Sequence, residues 1–235
     1  MDTEYEAGVE MGKFFADKGI KTAAIYGAFI PNPMHVYRTA GVLAGLGLSY
    51  GGATTEEDVV GLIFADQGID LSKISGDIKI VSYLQGYGDT TTDEINAAIQ
   101  AAPEAFISVG MATTFFTQQL NAAGIEFSDI DSFTKSNGEA ITNGKLVYLA
   151  GKYSSSVGPA FALVMNAING NVIRDAQGNA VSLSQNYQVA TDSETFDKFY
   201  KNDNGDNPIY SRDKLDQIIG DTVTFDTINE VVASN

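Results

Sequence analysis

Short apolar runs alternate with longer amphipathic stretches along most of this chain, and that alternation constrains its fold more than any single residue does. KTAAIYGAF, DIKIVSYL, AFISVG and KLVYLAGK suit strands buried on both faces. Helical patterns lie around them. Residues 4–17 place Tyr5, Val9, Phe14 and Phe15 at helical spacing with Gly19 beyond; further patterns cover 35–48, 56–66, 91–103 up to Pro103, 113–124 up to Gly124, 136–143 and the apolar 157–170. Capping boxes are expected at Thr54 with Glu57, Thr91 with Glu94 and Ser136 with Glu139. Strand and helix taking turns across short joins imply an α/β fold with a parallel sheet and helices on both faces. After Gly170 the texture changes: NVIRDAQGNAVSLSQNYQVAT reads as an antiparallel excursion around AQGN, residues 200–207 as a polar linker, and SRDKLDQIIG as a last helix.

Composition removes several kinds of chemistry. The 235 residues carry 14 Lys plus Arg against 30 Asp plus Glu, a net charge of −16 that repels nucleic acid and anionic lipid, so neither is an expected partner. With no Cys there is no thiol catalysis, disulfide or Cys-ligated metal. The single His35 leaves no His pair for zinc and no Ser/His/Asp constellation. Nothing implies a metal or a cofactor. No apolar run approaches the ~18 residues of a membrane span, so membrane insertion by this segment is not expected. The first twenty residues are acidic and carry no export signal. Asp203, Asn204 and Asp206 around Gly205 lack the spacing of a calcium loop and read as a turn. Gly51-Gly52 and GVLAGLGL lack a dinucleotide-binding context and read as packing glycines.

Five stretches in order resemble the second lobe of the type I periplasmic-binding-protein fold, the ribose- and galactose-type solute receptors of ABC transporters. They are EAGVEMGKFFADKGIKTAAIYG, Arg38-Thr-Ala-Gly41 as that family's R-x-x-G, INAAIQAAPEAFISVG, SFTKSNGEAITNGKLVYLAGKY and VGPAFALVMNAINGN. The resemblance spans residues 4–190. It implies a ligand-binding lobe over 1–190, with 153–190 crossing back toward a first lobe that is missing here, and a C-terminal extension over 191–235. The chain would then be a fragment of an extracytoplasmic receptor that binds a sugar, nucleoside or amino-acid-like molecule without catalysis and delivers it to an ABC permease. Phe161, Leu163, Val164 and Ile168 would face nothing of their own, which predicts pairing with the missing lobe or a second chain, or a loose element.

The same resemblance implies ligand-binding positions. Arg38 stands where the family's cleft arginine would, its planar fork suited to hydroxyls or a carboxylate. Tyr87, in the loop after DIKIVSYL, would present a ring for stacking, while Tyr83 on that strand reads as core. The family's Asn-Asp pair after AFISV is replaced by Val109-Gly110-Met111-Ala112, and the Asp of its G-F-D by Ser132-Phe133-Thr134, so Met111 and Thr134 would make a less polar pocket. Lys152 falls at a polar hinge position. With Arg38 it would supply two cations and no carboxylate, favouring an anionic group. His35 could reach a ligand, an unpaired surface histidine being the commoner outcome. Two other classes compete: a small α/β enzyme using carboxylates such as Asp66, Asp89 and Asp93, and the effector domain of a transcription regulator of the same fold.

Overall fold

The computed structural model describes residues 2–205 and 208–233. In chain order the elements are α1 (Asp2–Asp17), β1 (Thr22–Tyr26), α2 (Pro33–Gly45), β2 (Ser49–Tyr50), α3 (Glu56–Asp66), β3 (Ile74–Ser75), β4 (Lys79–Leu84), α4 (Thr91–Gln100) and β5 (Ala105–Ser108). There follow α5 (Ala112–Phe115), α6 (Thr117–Ala123), β6 (Glu126–Ile130), α7 (Lys135–Asn143), β7 (Leu146–Gly151), α8 (Val157–Ile168), β8 (Gln188–Ala190), α9 (Ser193–Asn204), α10 (Arg212–Gln217) and α11 (Phe225–Ala233). Six strands form one sheet in the order β4-β1-β5-β6-β7-β8, parallel except for β8, which runs antiparallel on β7. The apolar runs become its buried centre: Ala23 to Tyr26 and Ala105 to Ser108 are fully enclosed. Burying a ring such as Phe106 or Phe127 contributes about 1.5–3 kcal/mol.

Four glycines set the distance between α1 and α2. A Cβ at Gly8 would overlap the Arg38 carbonyl, one at Gly41 the Tyr5 carbonyl and one at Gly45 the Val9 carbonyl; at Gly12 it would lie 2.5 Å from the Val42 oxygen. The helices therefore touch backbone to backbone. Gly41 and Gly45 are packing glycines, as their spacing suggested, whereas Gly51 and Gly52 form a turn at φ +58° and +82°.

Helix ends differ from expectation by a residue or more. Thr55, not Thr54, caps α3, and Thr134, not Ser136, caps α7; each accepts a backbone N–H at 3.3 Å, from Asp58 and Asn137. Both have extended backbones (ψ 149° and 159°), which aim the side-chain oxygen at the orphan N–H groups. Helix α4 begins after Thr90, whose hydroxyl donates to Glu94, while Thr91 accepts from Gly88 N–H. The pattern at 113–124 is two helices. Its break turns Phe116 into the core, edge-on to Tyr26 and Phe106.

The C-terminal quarter is more regular than its composition suggested. Most of the expected linker at 200–207 is the end of α9, with Asp206 and Asn207 outside the described residues. Asp203 is not in a turn: its carboxylate accepts from Ser154 N–H (2.6 Å), Ser155 N–H (3.3 Å) and the Ser154 hydroxyl (2.9 Å), just before α8. Phe196 and Phe199 of α9 join the main core beside Phe133. A second small core gathers Ala162, Ile218 and Ile228 with Leu163 and Leu215 packed around them. Leu163 is therefore not an orphan, because α10 and α11 fold back over that side of α8. Phe161 (51%), Val164 (57%) and Ile168 (71%) on its other side stay exposed.

Candidate functional site

The connection from β1 leads to β4 on one side, and the next crossover returns past β1 to β5 on the other. The winding reverses there, so the helices after β1 and β5 leave a crevice beyond the C-terminal ends of those strands. Arg38, on α2, lies in it. Its Nε donates to Glu4 at 2.7 Å, Nη1 to the Val109 carbonyl at 3.0 Å and Nη2 to the Tyr187 hydroxyl at 2.6 Å. Burial alone would raise the pKa of Glu4, but the Arg38 charge, the bonds from Tyr187 and Arg38, and Lys152 outweigh it and hold the carboxyl below its ordinary range.

His35 is buried on α2, not an unpaired surface group: Nδ1 lies 3.0 Å from Phe29 N and 3.1 Å from its carbonyl. Burial, helped by the Arg38 charge, keeps its pKa below the usual value, so the ring is neutral near pH 7. At Gly110 a Cβ would meet Arg38 Nη1 at 3.6 Å, the Ile130 carbonyl at 3.7 Å and His35 Nε2 at 3.8 Å. Two nitrogens and a carbonyl therefore converge on the side that Gly110 leaves bare, a set of polar atoms that suits a hydroxyl.

The loop holding Gly110 is strained and firmly held. Met111, half-buried, has φ +69° and ψ 10°, a left-handed conformation costing a non-glycine residue about 1–2 kcal/mol. Asp129, fully buried on β6, braces both ends. Oδ1 lies 3.1 Å from the Ser108 hydroxyl, whose single proton it shares with the Gly110 carbonyl (3.1 Å) and which accepts from Gly110 N–H, and Oδ2 accepts from the N–H and hydroxyl of Thr113 (both 2.7 Å). Asp131, one residue past β6, receives Asn137 Nδ2 at 3.2 Å and lies 3.1 Å from the Thr113 hydroxyl.

The five expected positions are distributed along this edge. Arg38 bonds the Val109 carbonyl, two residues before Met111. Lys152, past β7, reaches the same cluster from the far side, its Nζ 3.3 Å from Glu4 and 4.3 Å from the centre of the Tyr187 ring. Tyr87, 58% exposed, stacks on Phe115 at 4.1 Å, while Phe29, before α2, and Met34, in its first turn, are also exposed. Thr134 caps α7 beyond Asp131, its hydroxyl on Asn137 N–H and Ser136. The expectation of two cations without a carboxylate is corrected: Glu4 lies against both and leaves the three side chains a single net positive charge. Asp66 is committed to Lys73 and the Tyr50 hydroxyl (2.6 Å each), and Asp89 and Asp93 are exposed at the start of α4. Among the described residues no three His, Cys, Asp or Glu side chains gather for a metal, and no helix is long and apolar enough to cross a membrane.

Glu4, Tyr187, Asp129 and Asp131 escaped the sequence reading. For Asp131 a signal existed, an acid directly after the buried run IEFSDI. Glu4 and Tyr187 are 183 positions apart and carry none.

Solved structures share this architecture. The fold is similar to an ABC-transporter periplasmic solute-binding protein from Actinobacillus succinogenes with bound D-allose (TM-score 0.56, 15% identity, 84% of this chain and 61% of that one). It is similar to the periplasmic binding protein of the arabinose ABC transporter from Shewanella sp. ANA-3, bound to L-arabinofuranose (0.55, 17%, 86% and 61%). It is also similar to a galactofuranose-binding protein (0.58, 10%, 86% and 62%). The likeness is one of fold, and the chain spans about three fifths of the length of these structures. No family model and no curated protein matches the sequence.

Proposed function

We propose that this chain, which has the fold of one lobe of the type I periplasmic binding proteins, binds a small uncharged hydroxyl-bearing solute, a sugar by class, and does no chemistry on it. The observation that carries the reading is the convergence of Arg38 Nη1, His35 Nε2 and the Ile130 carbonyl on the bare side of Gly110, together with exposed aromatic rings. Donors and an acceptor fixed in a crevice can replace the water a hydroxyl loses, and a ring such as Tyr87 can cover an apolar sugar face. Glu4 neutralises one of the two cations, Arg38 and Lys152, and so weakens their pull on a carboxylate or phosphate ligand. Arg38, Tyr87, Met111 and Lys152 act in or beside the site, and Thr134 shapes its far rim. The bound names of the similar structures, D-allose and L-arabinofuranose, favour the same class.

In this reading the parent protein works outside the cytoplasm, a second lobe closes on the solute, the exposed side of α8 meets that lobe, and an ABC permease receives the cargo. Closure stabilises the bound state through contacts made only when both lobes engage. One lobe by itself should therefore bind weakly. Amide NMR of the chain titrated with D-allose, L-arabinose, adenosine and glutamate tests this: millimolar sugar should move Gly110, Met111 and His35, and R38A should abolish the shifts. Sub-micromolar affinity, a preference for glutamate, or shifts confined to another face would overturn it.

A further inference from the structure

Asp129 is the one carboxylate wholly enclosed in the sheet among the described residues, and the solute-facing reading of the edge leaves it without a role. We propose that Asp129 is the positioning residue of the Val109–Thr113 loop: gripping Ser108 at one end and Thr113 at the other, it holds Met111 left-handed and keeps Gly110 open beside Arg38 and His35.

Four geometric facts carry this. The loop has a strained residue at its centre, and strain persists only where the surroundings over-determine it. Asp129 bonds the residues on both sides of that centre. Its two oxygens take four donors, one of them the N–H of its own neighbour Ile130 at 2.9 Å. The Thr113 hydroxyl stands between the carboxylates of Asp129 and Asp131 with a single proton for both.

The brace is sensitive to protons. Burial is the largest influence on Asp129, and with the Asp131 charge it outweighs the Thr113 bonds, pushing the carboxyl up to about 6. The other ionisable group facing it is the Tyr26 phenol on β1, itself raised to about 12 and neutral throughout. Ser108 on β5 and Thr113 on α5 bring no charge. When Oδ2 takes a proton it donates to Thr113 Oγ1, whose own proton turns to Asp131. The Thr113 N–H then loses much of its acceptor, and the loop loosens.

This rests on the proposed function only in calling the loop solute-facing, so the test uses no ligand. In the full chain the amide resonances of Gly110, Met111 and Thr113 should move together with a midpoint near pH 6. D129N should abolish that titration and speed exchange of the Thr113 amide at least tenfold at pH 7. Adding M111G should recover most of the protection, because glycine adopts the left-handed conformation without strain. D131N should keep the titration. If D129N does not fold, T113V, which removes one donor and keeps the N–H, should move the midpoint by half a pH unit or more. A loop that is silent between pH 5 and 7, a titration that survives D129N or is unmoved by T113V, or no rescue by M111G would overturn the proposal. A loop that behaves as expected while no sugar binds would sink the solute reading and leave the brace intact.

Discussion

Arg38 Nε lies 2.7 Å from a carboxylate oxygen of Glu4, and both side chains are more than nine-tenths enclosed. This pair ties the start of α1 to α2 above the crevice, and the Tyr187 hydroxyl bonds both members. Charged groups this enclosed stabilise a fold only while paired.

Glu4→Gln should lower stability by about 3–5 kcal/mol, because Arg38 stays buried with its counter-charge gone. The effect has a pH signature. The Glu4 carboxyl is held below its ordinary 4.5, so its contribution is fully present above that value and is lost as pH falls through the lower folded value. Thermal unfolding of the two proteins should therefore differ most near neutrality and converge in acid. Equal curves at pH 7 would show that the pair does nothing for stability.

Alanine at two helical glycines should act in opposite directions. Gly41→Ala forces α1 and α2 apart and should cost about 1–3 kcal/mol or more. Gly61→Ala, at an exposed position of α3 with no atom within 4 Å of the added methyl, should stabilise by about 0.5–1 kcal/mol. Urea midpoints read both signs, and a loss at Gly61 or a gain at Gly41 contradicts the packing described.

For Asp129 the sign runs opposite to Glu4. A folded value of about 6 against an ordinary 3.8 means that the native state holds the proton more tightly, so stability from this group falls as pH rises from about 4 to about 6. The span corresponds to roughly 3 kcal/mol. The amide introduced by Asp129→Asn cannot titrate, so the unfolding free energy of wild type minus that of the variant should fall across the window. A difference that is flat from pH 4 to 7 refutes it.

Tyr87→Ala removes a mostly exposed ring, so stability should change by less than about 1 kcal/mol while sugar affinity drops several-fold. Arg38→Ala should lower both. Calorimetry beside thermal unfolding separates the two cases, and an unchanged affinity in Tyr87→Ala excludes the ring from the site.

On α8, Phe161→Ser with Ile168→Ser should leave stability within about 0.5 kcal/mol per site, since both side chains are exposed. Sedimentation of the unchanged chain should show mass rising with concentration, and the double variant should stay monomeric. Identical sedimentation of both would show that this face attracts no copy of itself.

Much of the architecture is legible in residues read locally. The span 56–66 is α3 to the residue, and the four strongest apolar runs are all strands. Gly41 and Gly45 announce a close helix crossing by spacing alone. The caps of α3 and α7 lie one residue after and two residues before the expected positions because a hydroxyl caps only where its own backbone is extended, and Thr54 beside Thr55, or Thr134 near Ser136, offer the same chemistry. The tail was misjudged for a related reason: the polar end of α9 looks like linker until Phe196 and Phe199 find the Phe133 cluster.

Local pattern alone settled the fold class, since periodicity and turn chemistry act between neighbours and need no partner from afar. The family resemblance also proposed residues for the edge of the sheet at the strands' C-terminal ends, Arg38 and Met111 among them. What the tertiary structure decided is the electrostatic character of that edge. Glu4 and Tyr187 come from opposite ends of the chain to neutralise and fix Arg38, and Asp129 is a brace only because the sheet excludes water from it. Charge and burial are set by distance in space, and sequence separation says nothing of that distance until the chain has folded.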